Sequence, residues 1–249
     1  MHRHPMKFHD YLDFRTLPAL ADSTNWSAAV KVGYGMDGND LLGDCTCAGP
    51  AHNIVAVTAN AMGNAIVPTT AQVEVMYEAS GYVPGNPSTD QGWTLKAAEG
   101  YIVSTGLAGI KADGFVEVDP TSITHMKYAL QLLGPTLNFG INLPQSAMDV
   151  FQNAPAGQTP VWSVGDMVNT TIIGGHDGAV VDFTKHGNFV LETWCSDTNV
   201  YLGRVIVTPE WVLKFVDEVS AMYFKMMASK VGLDVAQMDA DAQALAEAA

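Results

Sequence analysis

The sequence predicts an α+β protein of two lobes, helical in its first half and built on an antiparallel sheet or barrel in its second. Three observations predict it. Up to about residue 112 the sustained apolar periods are helical, over 45–62, 70–77 and 94–103. Beyond residue 113 short β-rich runs take over, at 115–118, 136–142, 179–183, 189–192 and 200–207. A cysteine opens the first helix and a histidine opens a strand far down the chain, so a cleft between the two halves would bring them together.

Each element has its own signal. Residues 1–25 form an N-terminal arm with Pro5, Pro18 and no sustained period, and Met1–Pro5 reads as solvated. The loop Gly38–Asp44 runs into Cys45, after which Ala51, Ile54, Val55, Thr58 and Met62 recur at helical spacing. Pro50 is expected near the first turn of that helix, where a missing N–H matters least. Thr69 or Thr70 opens the second helix, and Thr94 starts a third that stops at Gly106. Residues 81–90 are a Gly/Pro/Ser/Asn loop. In the second half Thr121 or Ser122 caps a short helix reaching Leu133, and residues 153–159 are a turn-rich insertion. Gly174-Gly175-His176 reads as a glycine turn into a strand, with Lys185-His186-Gly187 turning into the next. A helix is expected over Glu210–Met227, with Trp211, Phe215 and Met222 on its apolar face. The Ala-, Asp- and Gln-rich tail after Gly232 is helix-forming with a thin apolar stripe of Leu233, Ala236, Met238 and Leu245. The domain therefore spans 26–224, with a helical lobe over about 26–112 and a β lobe over about 113–224. A helical tail follows over 225–249.

Composition narrows the function. Apolar residues make up 48% of the 249, enough for a sizeable core. Acidic residues number 26 against 12 basic, a net charge of −14 that argues against nucleic acid or an anionic membrane as partner. That charge reads as solubility in preference to a taste for basic substrates. No stretch reaches the ~18 apolar residues of a membrane span. The N-terminus has no signal-peptide core, so the default compartment is the cytoplasm. Three cysteines, Cys45, Cys47 and Cys195, do not make a disulfide framework, although one bridge from Cys47 to Cys195 stays open. A Cys-x-Cys metal site matches structural zinc spacing poorly, and neither metal nor cofactor is expected.

Cys45 at a helix N-terminus is placed for nucleophilic chemistry, since the helix end favours a thiolate. His176 supplies the base such a thiol needs. Here the sequence resembles the papain-like cysteine peptidases. The resemblance is carried in order by Leu17-Pro18 with Asn25-Trp26, by Asn39 six residues before Cys45, and by Asp90-Gln91-Gly92-Trp93. It continues through Met126–Ile141, Gly174-Gly175-His176 and Trp194. It implies a peptide or protein substrate, Cys45 as nucleophile, His176 as general base and the Asn39 amide in the oxyanion hole. Counting back from Trp194, it puts the residue that orients His176 at Glu192, whose carboxylate would raise the histidine and favour an ion pair. Thr46 stands where the family has a Trp, and the chain leaves no room for a full inhibitory propeptide. Cys47 is a poorer nucleophile, because Leu41 occupies the position six before it. The alternatives are a transferase or amidase on the same dyad, or a papain-fold structural component of a larger assembly such as a virion. In the structural reading a protein partner or a second copy would pack on the plain tail.

Overall fold

The computed structural model describes residues 6–195 and 203–247. Met1–Pro5, the start of the run expected over 200–207 and the last two residues lie outside them. The helical lobe comprises α1 (Cys45–Met62), α2 (Thr70–Glu78) and α3 (Leu95–Ser104). The rest of the chain follows in the order β1 (Gly114–Glu117), α4 (Ile123–Leu133), β2 (Leu137–Pro144), α5 (Gln145–Gln152), β3 (Val161–Trp162) and β4 (Ile172–Phe183). After these come β5 (Phe189–Glu192), β6 (Arg204–Val207), α6 (Pro209–Phe215), β7 (Val216–Tyr223) and α7 (Val235–Ala246). The strands form one sheet in the order β1-β7-β2-β4-β5-β6-β3, antiparallel except for the β3–β6 pair.

Local chemistry sets most helix starts. Thr69 and Gln72 form a reciprocal capping box on α2, with Thr69 N–H donating to Gln72 Oε1 at 2.9 Å. Thr94, Ser122 and Thr208 cap α3, α4 and α6 through their side-chain oxygens. α1 differs from the amphipathic helix expected: it is buried on every side from Thr46 to Ala59, because it lies between the other helices and β4. Pro50 is its sixth residue and sits inside the helix, beyond the turn whose N–H groups have no partner in any case.

The expected helix over Glu210–Met227 is corrected. α6 ends at Phe215, and Val216–Tyr223 is a central strand, hydrogen-bonded to β1 on one side and β2 on the other. Trp211, Phe215 and Met222 matched a helical period by coincidence, and sheet pairing on both edges outweighs that signal. The N-terminal arm is also more than a solvated strap from Met6 onward. Phe8 and Tyr11 are buried in the core beneath the sheet, and Glu117 N–H donates to Met6 O at 2.8 Å. This arm packs on the tail: Asp234 N–H donates to Tyr11 O, and Tyr11 Oη donates to Asp241 at 2.9 Å. Leu233 and Met238 are buried in the same core.

Two apolar clusters flank the seam between the lobes. One gathers Ile54, Val57, Val73, Met76, Tyr77 and Ile102 from the three helices. The other holds the sheet's opposite face, with Phe139, Phe189, Trp162 and Trp211 at its centre. Among the described residues no helix is long and apolar enough to cross a membrane.

Candidate active site

Cys45 is the first residue of α1, half-buried at the floor of a cleft of about 640 Å³ between the lobes. The loop ahead of it is pinned. Asp90 accepts from Gly43 N–H at 3.0 Å and from Tyr77 Oη at 2.6 Å, and Tyr77 Oη in turn accepts from Gly92 N–H at 2.9 Å. The motif Asp90–Trp93 thus fixes the approach to the cysteine, and Gln91, Gly92 and Trp93 line the cleft.

His176 lies on β4 where that strand passes from exposed to buried, and it lines the same cleft. Cys45 and His176 thus line one cleft, and the backbone amides of Asp177, the residue after His176, and of Thr46 partly offset the effect of burial on the thiol. The ring is fixed from two sides. Its Nε2 is hydrogen-bonded to Thr193 Oγ1, and Trp194 stacks on its face at 4.0 Å between centroids with 9° between planes. Trp194 adopts this position at a φ of +40°, and Thr193 N–H donates to Gly203 O at 2.9 Å. Gly203 must be glycine there: its φ is +93°, and a Cβ would stand 2.3 Å from Thr193 O.

Glu192 is not the partner of His176. Its carboxylate is fully buried on the other side of the strand, where Oε1 accepts from both Nε and Nη2 of Arg204. Cys195 Sγ donates to Oε2 at 3.8 Å. Successive strand residues face opposite ways, so only one of Glu192 and Thr193 can face the imidazole. Glu192→Ala is therefore expected to cost stability on the order of 3 kcal/mol, because it removes the carboxylate from a mostly buried guanidinium. Denaturant titration checks this. If the variant melts like the parent and loses turnover instead, the assignment to Arg204 is wrong.

Asn39 lies half-buried in the turn ahead of α1, its N–H donating to Met36 O at 3.0 Å, and the cleft walls do not include it. Cys47 is fully buried in the helical core, where burial pushes its thiol up, so it has no access to a substrate. All three cysteines are free thiols. Cys195 is buried in a different cluster from Cys47. Among the described residues no group of three or more His, Cys, Asp or Glu is arranged to hold a metal ion.

The electrostatics differ from those expected of a cysteine at a helix end. Burial pushes the Cys45 thiol up to about 12, with Asp177 and Asp44 adding to it. Burial draws His176 down to about 3, and His52 draws it the same way. Asp44, buried with neither carboxyl oxygen partnered, is itself raised to about 8 by desolvation. Each ion alone is thus disfavoured, and the pair rests as thiol and neutral imidazole. A thiolate becomes accessible when its proton passes to the imidazole, since the two opposite charges then offset each other.

Neither a protein-family model nor a curated protein sequence matches the chain. Solved structures do. Xylellain, a cysteine protease from Xylella fastidiosa, superposes with a TM-score of 0.64 at 14% identity over 88% of this chain and 91% of that one. Procathepsin L 3 from the larval midgut of Tenebrio molitor gives 0.62 at 14% identity, covering 89% and 74%. A Carica candamarcensis cysteine protease in complex with E-64 gives 0.56 at 13% identity, covering 82% and 98%. Element order, the two-lobed cleft and these superpositions agree that the chain has the fold of the papain-like cysteine proteases.

Proposed function

We propose that the protein is a cysteine peptidase, with Cys45 as nucleophile and His176 as general base. The observation that carries this reading is a single cleft lined by both Cys45 and His176, with the ring's Nε2 held by Thr193. If Nε2–H donates to Thr193 Oγ1, Nδ1 is left as the acceptor for the thiol proton. The Sγ–H proton then passes to Nδ1 as sulfur attacks the peptide carbonyl carbon. His176 returns that proton to the amine as the C–N bond breaks. Water, deprotonated by the same ring, hydrolyses the thioester and releases the acid. Thr193 acts as a positioning residue: it fixes tautomer and ring angle but carries no charge to stabilise the imidazolium.

A second reading is a papain-fold scaffold without turnover. The upward shift of Cys45 favours it, because the resting thiol is a weak nucleophile. A peptidyl epoxide probe separates the two. Mass spectrometry is expected to find one adduct on Cys45, with Cys47 and Cys195 unmodified, and to find it lost in folded His176→Ala protein. An adduct that forms equally fast without His176 would leave only the scaffold.

A further inference from the structure

We propose that the cleft selects a peptide carrying a lysine or arginine side chain, whose cation is taken up by Asp217 and Glu218. The inference rests on the peptidase reading and names the substrate class of that site.

The cleft that holds Cys45 and His176 extends to β7, where Asp217 and Glu218 form part of its wall. Among the described residues no lysine or arginine lines it. Both acids are set there by the backbone. Gly140 pairs with Glu218 but Ile141 pairs with Val216, so Asp217 is the extra residue of a bulge between β2 and β7. A bulge bends its strand and re-aims the side chain it adds. Asn142 Nδ2 donates to Asp217 Oδ2 at 2.9 Å and fixes that carboxylate. Gly140 makes room for the neighbouring acid, since a Cβ there would stand 2.9 Å from Glu218 Cβ. A third acid, Asp177, belongs to the same cleft wall but packs its carboxyl against Gly49 of α1, where both oxygens are buried, so it adds its field to the wall and is not itself a contact for a bound cation.

These groups repel one another. Glu218 is raised first by burial and then by Asp217 and Glu117. Lys96 is the cation that opposes this, and its Nζ is engaged with Glu117 Oε1 at 3.3 Å. A neutral occupant would desolvate Asp217 and Glu218 without compensation, and an acidic one would be repelled. A lysine or arginine satisfies both ends of the cleft. Its aliphatic stem can lie along Trp93 and Leu95, which line the wall, while the head group reaches the two acids. The acidic balance of the chain, which the sequence alone reads as solubility, thus has one local use.

The test compares peptides identical except for one residue, lysine, norleucine or glutamate, placed in turn at each position N-terminal to the scissile bond. Norleucine keeps most of the stem and removes the charge. At one position kcat/KM is expected to favour lysine over norleucine by about tenfold, the scale of one charge-assisted hydrogen bond. Within the Asp217→Asn/Glu218→Gln protein that ratio is expected to fall toward one, and Glu218→Lys should move the preference toward glutamate. Glu218→Gln alone serves if the double variant does not fold. The same peptides are titrated against Cys45→Ala protein by fluorescence anisotropy, which reads binding without turnover. Turnover with equal rates for lysine and norleucine, or a preference that survives the double variant, overturns the inference and spares the peptidase reading. Lysine-selective binding without turnover by the parent does the reverse. No binding and no turnover overturns both.

Discussion

His176→Ala is expected to lower kcat by about a thousandfold, the usual scale of a lost general base. Thr193→Val should lower it by about tenfold, the worth of the hydrogen bond that holds the ring. Thr193→Ser, which keeps the hydroxyl, should restore most of that loss, whereas a merely structural role at this position would not distinguish Ser from Val. The pH profile gives the second readout. A histidine that holds no proton until about pH 3 remains a base throughout the mildly acid range. For an uncharged peptide, kcat/KM should therefore hold as pH falls from 7 to about 5. On the alkaline side Asp44 ionises near 8 and places an anion beside the sulfur, so the rate should fall there and stop falling in Asp44→Asn. An acid limb centred near 6.5, the ordinary histidine value, would show that His176 titrates in open solvent and would sink the description of a buried neutral pair.

Much of this site can be read from the chain because its signals are local. Cys45 follows a Gly- and Asp-rich loop and opens a helix; His176 follows two glycines and enters a strand. The caps Thr69, Thr94 and Ser122 fix helix starts within a few residues, so α2, α3 and α4 fall where spacing puts them. β7 was hidden because strand status depended on neighbours 75 to 109 residues away, while its own residues fitted a helical period. Thr193 was hidden for a related reason. Counting positions back from Trp194 lands on Glu192, but which of two adjacent strand residues faces the imidazole is set by pairing with β4 and β6. The charge states of Cys45 and His176 are further still from the sequence. A helix N-terminus argues for a thiolate, yet burial, which only the packed lobes create, pushes both groups toward neutrality.

The same burial makes Glu99 a pH-sensitive position in the seam. The residue sits on α3 and is fully buried against the sheet. Its Oε1 accepts from Asn138 Nδ2 at 3.1 Å and from Ser220 Oγ at 2.6 Å, and its Oε2 has no partner. Desolvation raises it from 4.5 to about 8, with Glu218 adding to the shift and the two hydrogen bonds opposing it. Below 4.5 the folded and unfolded chains both hold the proton. Between 4.5 and about 8 the unfolded chain gives it up and the folded chain does not, so stability falls as pH rises through this window. Asp177, Asp44 and Glu192, all raised by burial, shift stability in the same direction. His176 and His52, both lowered by burial, act oppositely over the lower part of the window. These carboxyls, together with Glu218, which burial also raises, outnumber the two imidazoles and leave the net slope negative. The melting temperature is expected to drop between pH 5 and pH 8. Glu99→Gln imitates the protonated acid at every pH, so it should match the parent near pH 5 and exceed it at pH 8 by a few kcal/mol, on the order of the free energy of the pKa shift it removes. Calorimetric melts of both proteins across that range decide the matter. A parent that grows more stable toward pH 8, or a glutamine variant that loses as much between pH 5 and pH 8 as the parent does, would show that Glu99 is ionised in the folded chain and that the seam is wetter than its packing implies.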